Sequence, residues 1–337
     1  MAPRPARRSW WRWLAGALAL LVTAAVAYII VRRYDHPSLA PYENVRLGPS
    51  PTPADDGVTV TFLGVSTVLV QDGETAILTD GFFSRPAFLR TVLGKIAPDA
   101  AAIDAALARA GITELAAVIV VHSHYDHAMD APLVAERTGA MLVGSGSTAN
   151  VGRGAGLAEE RMHVVRDTET LRFGRFEVTL VPSRHLPHGM AMGTIDAPLV
   201  PPARATDYLE GGSWSVLIRH PAGTLLIQGS AGWIDGALAG RQADVVLLGI
   251  AGLATQPQAY GERYLAEVVD AVGARLVVPI HWDDFSLPLS EPLVPMPRLL
   301  DDFPASMALL QAHTAAPDGP RLGLLPAFTP VRLLPLE

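Results

Sequence analysis

Three histidines and an aspartate fall within six residues, His122-Ser123-His124-Tyr125-Asp126-His127. An apolar run, residues 118–121, leads directly into them. At an extended strand end, residues i and i+2 project to the same side. His122 and His124 can therefore chelate one ion. Asp126 and His127 follow once the chain turns and can face a second. The chain has no cysteine, so any metal must be held by imidazoles and carboxylates. Ligand-type side chains at this density point to a metal centre rather than to surface or capping histidines.

Other strand-like runs end the same way. Residues 176–181 lead to His185, residues 276–280 end in His281, and residues 76–79 end in Asp80. Residues 224–228 end in Gly229-Ser230. In layered α/β folds, the edge beyond the strand C-termini is where sites are built.

The elements that must position these groups can be read from pattern. Val58, Val60 and Phe62 alternate with threonines, the period of a half-buried strand. Residues 68–70 and 76–78 flank Gln71-Asp72-Gly73-Glu74, and residues 170–173 and 176–181 flank Gly174-Arg175, so both pairs are predicted hairpins. Residues 99–110 form a predicted helix with Asp99 as N-cap and Gly111 as stop. Further helices are predicted at 128–138 and 260–272, and further strands at 141–143, 214–218, 225–227 and 245–250. Hairpins mixed with strand–helix–strand units imply an α/β (α+β) fold with mixed sheets under helices. The Pro-rich stretches 197–202 and 288–304 have neither period and are predicted loops near the site.

Residues 14–31 are uncharged and apolar, with Arg12 before them and Arg32-Arg33 after. As a helix this run is about 27 Å long, enough for a bilayer core. Trp10, Trp11 and Trp13 suit an interface, and the more basic N-terminal flank belongs in the cytoplasm. Residues 1–34 are thus expected to be a membrane anchor or a signal segment. Ala25-Val26-Ala27 fits a cleavage site, and Arg7-Arg8 loosely fits a twin-arginine signal. Residues 35–57 hold five prolines and read as an extended linker. The folded domain is then 58–337, expected in the periplasm beyond a bacterial inner membrane. Six arginines and no acids lie in the first 33 residues, so the net −7 of the chain leaves −13 for the rest. Such a domain is a poor nucleic-acid binder.

The run HSHYDH resembles the signature of the metallo-β-lactamase fold superfamily. Leu78-Thr79-Asp80, Phe83-Ser84-Arg85-Pro86 and Pro279-Ile280-His281-Trp282 resemble motifs of one branch. That branch contains L-ascorbate-6-phosphate lactonase and N-acylphosphatidylethanolamine-hydrolysing phospholipase D. The resemblance covers roughly residues 58–285 and implies a four-layer αββα sandwich with one or two zinc ions between the sheets. Manganese or iron could take the same donors. It makes His122, His124 and His185 ligands of a first ion, and Asp126, His127 and His281 ligands of a second. It makes Asp80 the support of a ligand histidine. The family's bridging aspartate is replaced by Ser230, leaving Asp235, Asp283 and Asp284 as nearby carboxylates.

The chemistry implied is attack by a metal-activated hydroxide on a phosphodiester, lactone or related ester. Asp126 would accept or orient the proton. His188 would protonate a leaving group or bind substrate, or be simply a solvated loop histidine. Tyr125, Phe82, Asp283 and Asp284 are expected to line the pocket, around a small-molecule or lipid-derived substrate; Trp282 would line it too, or more simply pack in the core. Arg184 would hold an anion, or more simply form a salt bridge. The competing expectation is a non-catalytic module of the same fold that holds one metal.

Overall fold

The computed structural model describes residues 9–50, 57–166 and 168–336. Fourteen strands form two seven-stranded sheets among the described residues. The first sheet contains β1 (Val58–Phe62), β2 (Val68–Gln71), β3 (Ala76–Thr79), β4 (Ala117–Ile119), β5 (Met141–Gly144) and β6 (Met162–Val164). The second contains β7 (Thr170–Phe173), β8 (Phe176–Ser183), β9 (Ser213–His220), β10 (Gly223–Gln228), β11 (Val245–Gly249), β12 (Leu276–Ile280) and β13 (Arg321–Leu322). The final strand β14 (Val331–Leu334) returns to the first sheet beside β1. Strand order is 14-1-2-3-4-5-6 in one sheet and 13-12-11-10-9-8-7 in the other. Each is part antiparallel, through its hairpins, and part parallel, over β3–β6 and β10–β13.

The period of two places the layers. Val68, Val70, Ile77, Ala117 and Ile119 join the core shared with the second sheet. Leu69, Leu78 and Val118, one residue out of step, join a separate core on the other face. That outer core takes α3 (Ala100–Ala110) and α5 (Ala131–Thr138), with α2 (Phe88–Leu93) leading into it, the single turn α4 (Tyr125–Ala128), and α6 (Gly146–Gly154) behind β5 and β6. On the far face of the second sheet lie α7 (Gln258–Val268) and α8 (Phe303–Thr314). The architecture is helix, sheet, sheet, helix.

Several expected elements shift. Asp99 does cap α3, accepting the Ala101 and Ala102 N–H groups, and Gly111 ends it in the left-handed region at φ 68°. The helix expected at 128–138 is split into α4 and α5, and that turn aims Asp126 and His127 inward. The helix expected at 260–272 is α7 followed by a 3-10 turn, Asp270–Val272. The loop expected at 288–304 runs into α8, where Asp302 caps the Ala305 N–H.

The stretch 35–50 is not an extended spacer. Tyr42 is buried edge-on against Phe303, Leu47 N–H donates to the Leu324 carbonyl at 2.9 Å, and Ser50 N–H donates to Pro330. The stretch holds a 3-10 helix, Ala40–Val45, with Pro41 in its first turn, where a missing N–H is tolerated. Pro51 and Pro53 of that expected linker lie outside the described residues. Before this stretch, α1 (Ser9–Arg33) is one apolar helix whose apolar window is not buried against the domain. It is long and apolar enough to cross a membrane, and a signal sequence passes the same test. Arg33 at its end pairs with Asp284 at 2.6 Å and lies over the Phe88 ring at 5.0 Å.

Candidate metal centre

Strand ends bring the site together. β4 continues through buried Val120 and Val121 into His122, and α4 follows at once. β8 ends two residues before His185, β12 ends one before His281, and β3 ends one before Asp80.

His122, His124 and His185 form one group, with ring centroids 4.7–4.8 Å apart pairwise. His185 Nδ1 donates to the Leu186 carbonyl at 2.8 Å, which leaves Nε2 for an ion. His124 Nε2 lies 3.2 Å from the Ala191 carbonyl, which leaves Nδ1. Both ring nitrogens of His122 are buried without a hydrogen-bond partner among the described residues. Buried polar atoms are almost always partnered, so this ring fits a metal ligand. Burial, then the neighbouring imidazoles, holds His122 well below the usual histidine range. Burial holds His185 down at about 3. Both rings are neutral at pH 7, the form that binds a metal.

Asp126, His127 and His281 form the second group. Asp126 Oδ2 lies 3.5 Å from His127 Nε2 and 3.4 Å from His281 Nε2, and the two nitrogens are 3.3 Å apart. Donors about 2.0–2.2 Å from one tetrahedral ion stand about 3.3–3.6 Å from each other. The two groups adjoin, since the His122 and His127 rings are 3.8 Å apart. Behind them, His127 Nδ1 donates to Asp80 Oδ2 at 2.8 Å, which turns Nε2 toward the site. Ser66 Oγ also donates to that oxygen at 2.5 Å, and Asp80 Oδ1 accepts the Val121 N–H at 2.9 Å. Burial works to raise the Asp126 carboxyl and lower His127. The opposite charges across the pair outweigh it, and Asp126 sits well below the usual carboxylate range while His127 is raised.

Comparison with known proteins agrees with this geometry. Residues 60–223 match the family model of the metallo-beta-lactamase superfamily, a span that includes five of the six ligands and ends before His281. Igni18, a metallo hydrolase from the archaeon Ignicoccus hospitalis, superposes with a TM-score of 0.50 at 16% identity, over 82% of this chain and 98% of that one. A possible metal-dependent hydrolase from Veillonella parvula gives 0.50 at 13% identity, over 82% of this chain and 100% of that one. The fold is that of the metallo-beta-lactamase superfamily. A UPF0173 metal-dependent hydrolase from Methanopyrus kandleri is 28% identical over 170 residues, which is 50% of this chain and 66% of that protein.

Within this metallo-beta-lactamase fold, Ser230 stands where the bridging carboxylate was expected. Its Oγ accepts the Leu186 N–H at 3.1 Å. None of the three nearby carboxylates replaces it. Asp235 takes the Trp233 indole N–H and Arg263. Asp283 takes Arg85 and the Val65 N–H. Asp284 takes Arg33, and its backbone carbonyl faces Arg85.

The same contacts correct part of the expected pocket. Asp283 and Asp284 are not pocket residues, because buried carboxylates must be paired and their arginines take them. Trp282 is core, its ring 5.6 Å from Phe62 and 5.7 Å from Phe303. Tyr125 does stand beside Asp126, between Phe82 and Phe285. His188 is at the exposed rim, its ring 4.4 Å from His185 and 5.7 Å from His124. Arg184 forms no ion pair or hydrogen bond among the described residues and lines a cavity of about 310 Å³ with His185, Trp233 and Tyr260. The simpler salt-bridge role for Arg184 is therefore not what forms.

Sequence reading missed Ser66, Val65 and Arg85 as supports of the site. The signals were the motif that holds Arg85 and, before Val65 and Ser66, Gly64. Its φ is +100°, and a Cβ there would lie 1.9 Å from Arg85 Nη2.

Replacing Asp80 with alanine is expected to weaken metal binding at the Asp126–His127–His281 group about 10–100-fold. The group of three histidines should keep its affinity. Competitive chelator titration resolves the two; equal loss at both would show that Asp80 supports the fold rather than His127.

Proposed function

We propose that this chain is a metal-dependent hydrolase acting on a phosphodiester, lactone or related ester. The observation that carries the reading is the pair of adjoining triads, one of three imidazoles and one of two imidazoles and a carboxylate. Such donors suit zinc, and also iron or manganese. When bound, a divalent ion would polarise the substrate oxygen and make a water acidic enough to ionise near neutral pH. The chain's residues would do the rest. Asp126 would accept the proton of the attacking water. Asp80 would hold the His127 tautomer. His188 would hand a proton to the leaving group from the rim, and Arg184 would hold an anionic part of the substrate. The branch resemblance supports the ester classes named. The helix α1 is read as an inner-membrane anchor with the domain in the periplasm.

The test is elemental mass spectrometry on the purified full chain, followed by a screen of phosphodiesters and lactones with a His124→Ala control. About two ions per chain are expected, as in two-metal hydrolases, with turnover lost in the control. A folded chain without bound metal would sink the proposal. Ser230 favours a second reading, a non-catalytic module holding one ion. One ion, with no turnover in the screen, would select it.

A further inference from the structure

Several large apolar side chains that the domain leaves in solvent connect by contacts to the metal centre. In α2, Leu89, Val92 and Leu93 are 68%, 60% and 81% exposed, and no residue of that helix is buried. Their i, i+3, i+4 spacing puts them on one face. Met190 and Met192 are exposed on either side of Ala191, whose carbonyl meets His124. A soluble domain has little reason to present such side chains around a single feature.

Contacts tie this rim to the base of α1. Arg33 lies over the ring of Phe88, the first residue of α2, and pairs with Asp284 next to Phe285. The Phe285 ring is 5.7 Å from that of His281. Arg298 N–H donates to the Asp35 carbonyl at 3.0 Å, so the exposed Leu299 and Leu300 flank the same point. Ile96, just past α2, pairs with Ala203, which returns the rim toward the 190–200 loop and exposed Val200. Of the exposed large apolar side chains outside α1 and Tyr34, only Val164 among the described residues lies elsewhere, on edge strand β6. Arg90 and Lys95 are exposed on the rim and form no ion pair among the described residues.

We propose that this rim is a bilayer-contact face whose occupant is a phospholipid surface. The inference rests on reading α1 as a membrane span. The argument for a bilayer over a second copy of the chain is continuity. The face begins where an apolar helix of membrane length leaves the domain, and its apolar side chains are mixed with cations, the composition of an interfacial segment. The mouth of the metal cleft then lies at the membrane surface, and its substrate is an amphiphile presented there.

The chain has no cysteine, so single labels are unambiguous. Leu93→Cys, Met190→Cys, Val164→Cys and Leu20→Cys, each carrying an environment-sensitive nitrobenzoxadiazole, are placed in the full chain. The chain is reconstituted in vesicles of phosphatidylethanolamine and phosphatidylglycerol with or without doxyl-labelled lipid. Labels at 93 and 190 are expected to shift to the blue and lose most of their emission to the doxyl lipid, with 164 unchanged. Quenching at 20 but water-like emission at 93 and 190 would overturn the face and leave the anchor standing. Quenching at 93 and 190 but not at 20 would keep the face and remove the anchor. A blue shift at 93 and 190 without lipid quenching would mean that protein covers the rim, which also overturns the proposal.

Discussion

Replacing Asp126 with asparagine is expected to lower kcat about 10²–10⁴-fold, the usual contribution of a positioned proton acceptor. The substitution keeps the shape of the side chain and one oxygen. It removes the charge that His127 and His281 stabilise at 3.5 and 3.4 Å. Asp126 sits well below the usual carboxylate range, because the charge of His127 and the hydrogen bond and charge of His281 outweigh its burial. It is therefore ionised throughout the working pH range, and a neutral amide cannot accept the proton. KM should change less than kcat, since the loss is specific to the transition state. The three-histidine group does not use Asp126 and should keep its ion. Turnover within a few fold of the parent would remove Asp126 from the chemistry, and loss of both ions would make it structural instead.

The metal ligands were legible because their signal is local. Three of them and Asp126 sit in six consecutive residues, and the other two directly or nearly follow apolar strands. The charged neighbours of His281 were misread for the opposite reason. Asp283 and Asp284 stand beside a ligand in sequence, which suggested a pocket. Their partners Arg85 and Arg33 are 198 and 251 residues away. No local pattern announces such a pair, yet a buried charge without one would be prohibitive.

The same distinction divides the fold. The hairpins β2–β3 and β7–β8 were legible from alternation and turn residues. By contrast, α6 is built on Gly-Ser-Thr-Ala-Asn-Val-Gly-Arg-Gly, a poor helix former. It forms because Ser145 caps the Thr148 N–H and because Val151 packs into the outer core. The strand β14 has no turn that links it to β1; tertiary pairing alone places it there. Tyr42 folds the Pro-rich stretch onto α8 by burial, which composition does not reveal.

Replacing Arg85 with alanine is expected to destabilise the chain by about 3–5 kcal/mol, because it strands a buried carboxylate. Both side chains of the Arg85–Asp283 pair are fully buried, 2.6 Å apart. For a domain of this size the loss corresponds to a fall in Tm of about 5–15 °C. The effect should reach the metal. Asp283 Oδ1 accepts the Val65 N–H at 2.7 Å, and the Val65 carbonyl accepts the His281 N–H at 2.7 Å. Val65 is held at φ 52°, and His281 itself at φ 56°. A β-branched residue there carries a strain of about 1–3 kcal/mol that only its surroundings sustain. Without Arg85 the carboxylate of Asp283 loses its fixed position, Val65 can relax, and His281 moves out of register with Asp126 and His127. The variant should therefore lose the ion of that triad while retaining the one at His122, His124 and His185. Lysine should rescue only in part, since it cannot reproduce the planar fork of the guanidinium. The exposed Arg172–Glu177 pair is the control, and its loss should shift stability by less than about 1 kcal/mol. Thermal unfolding and metal content of the three variants decide the matter. An Arg85→Ala chain with both ions and an unchanged Tm would break the link from this ion pair to the metal centre.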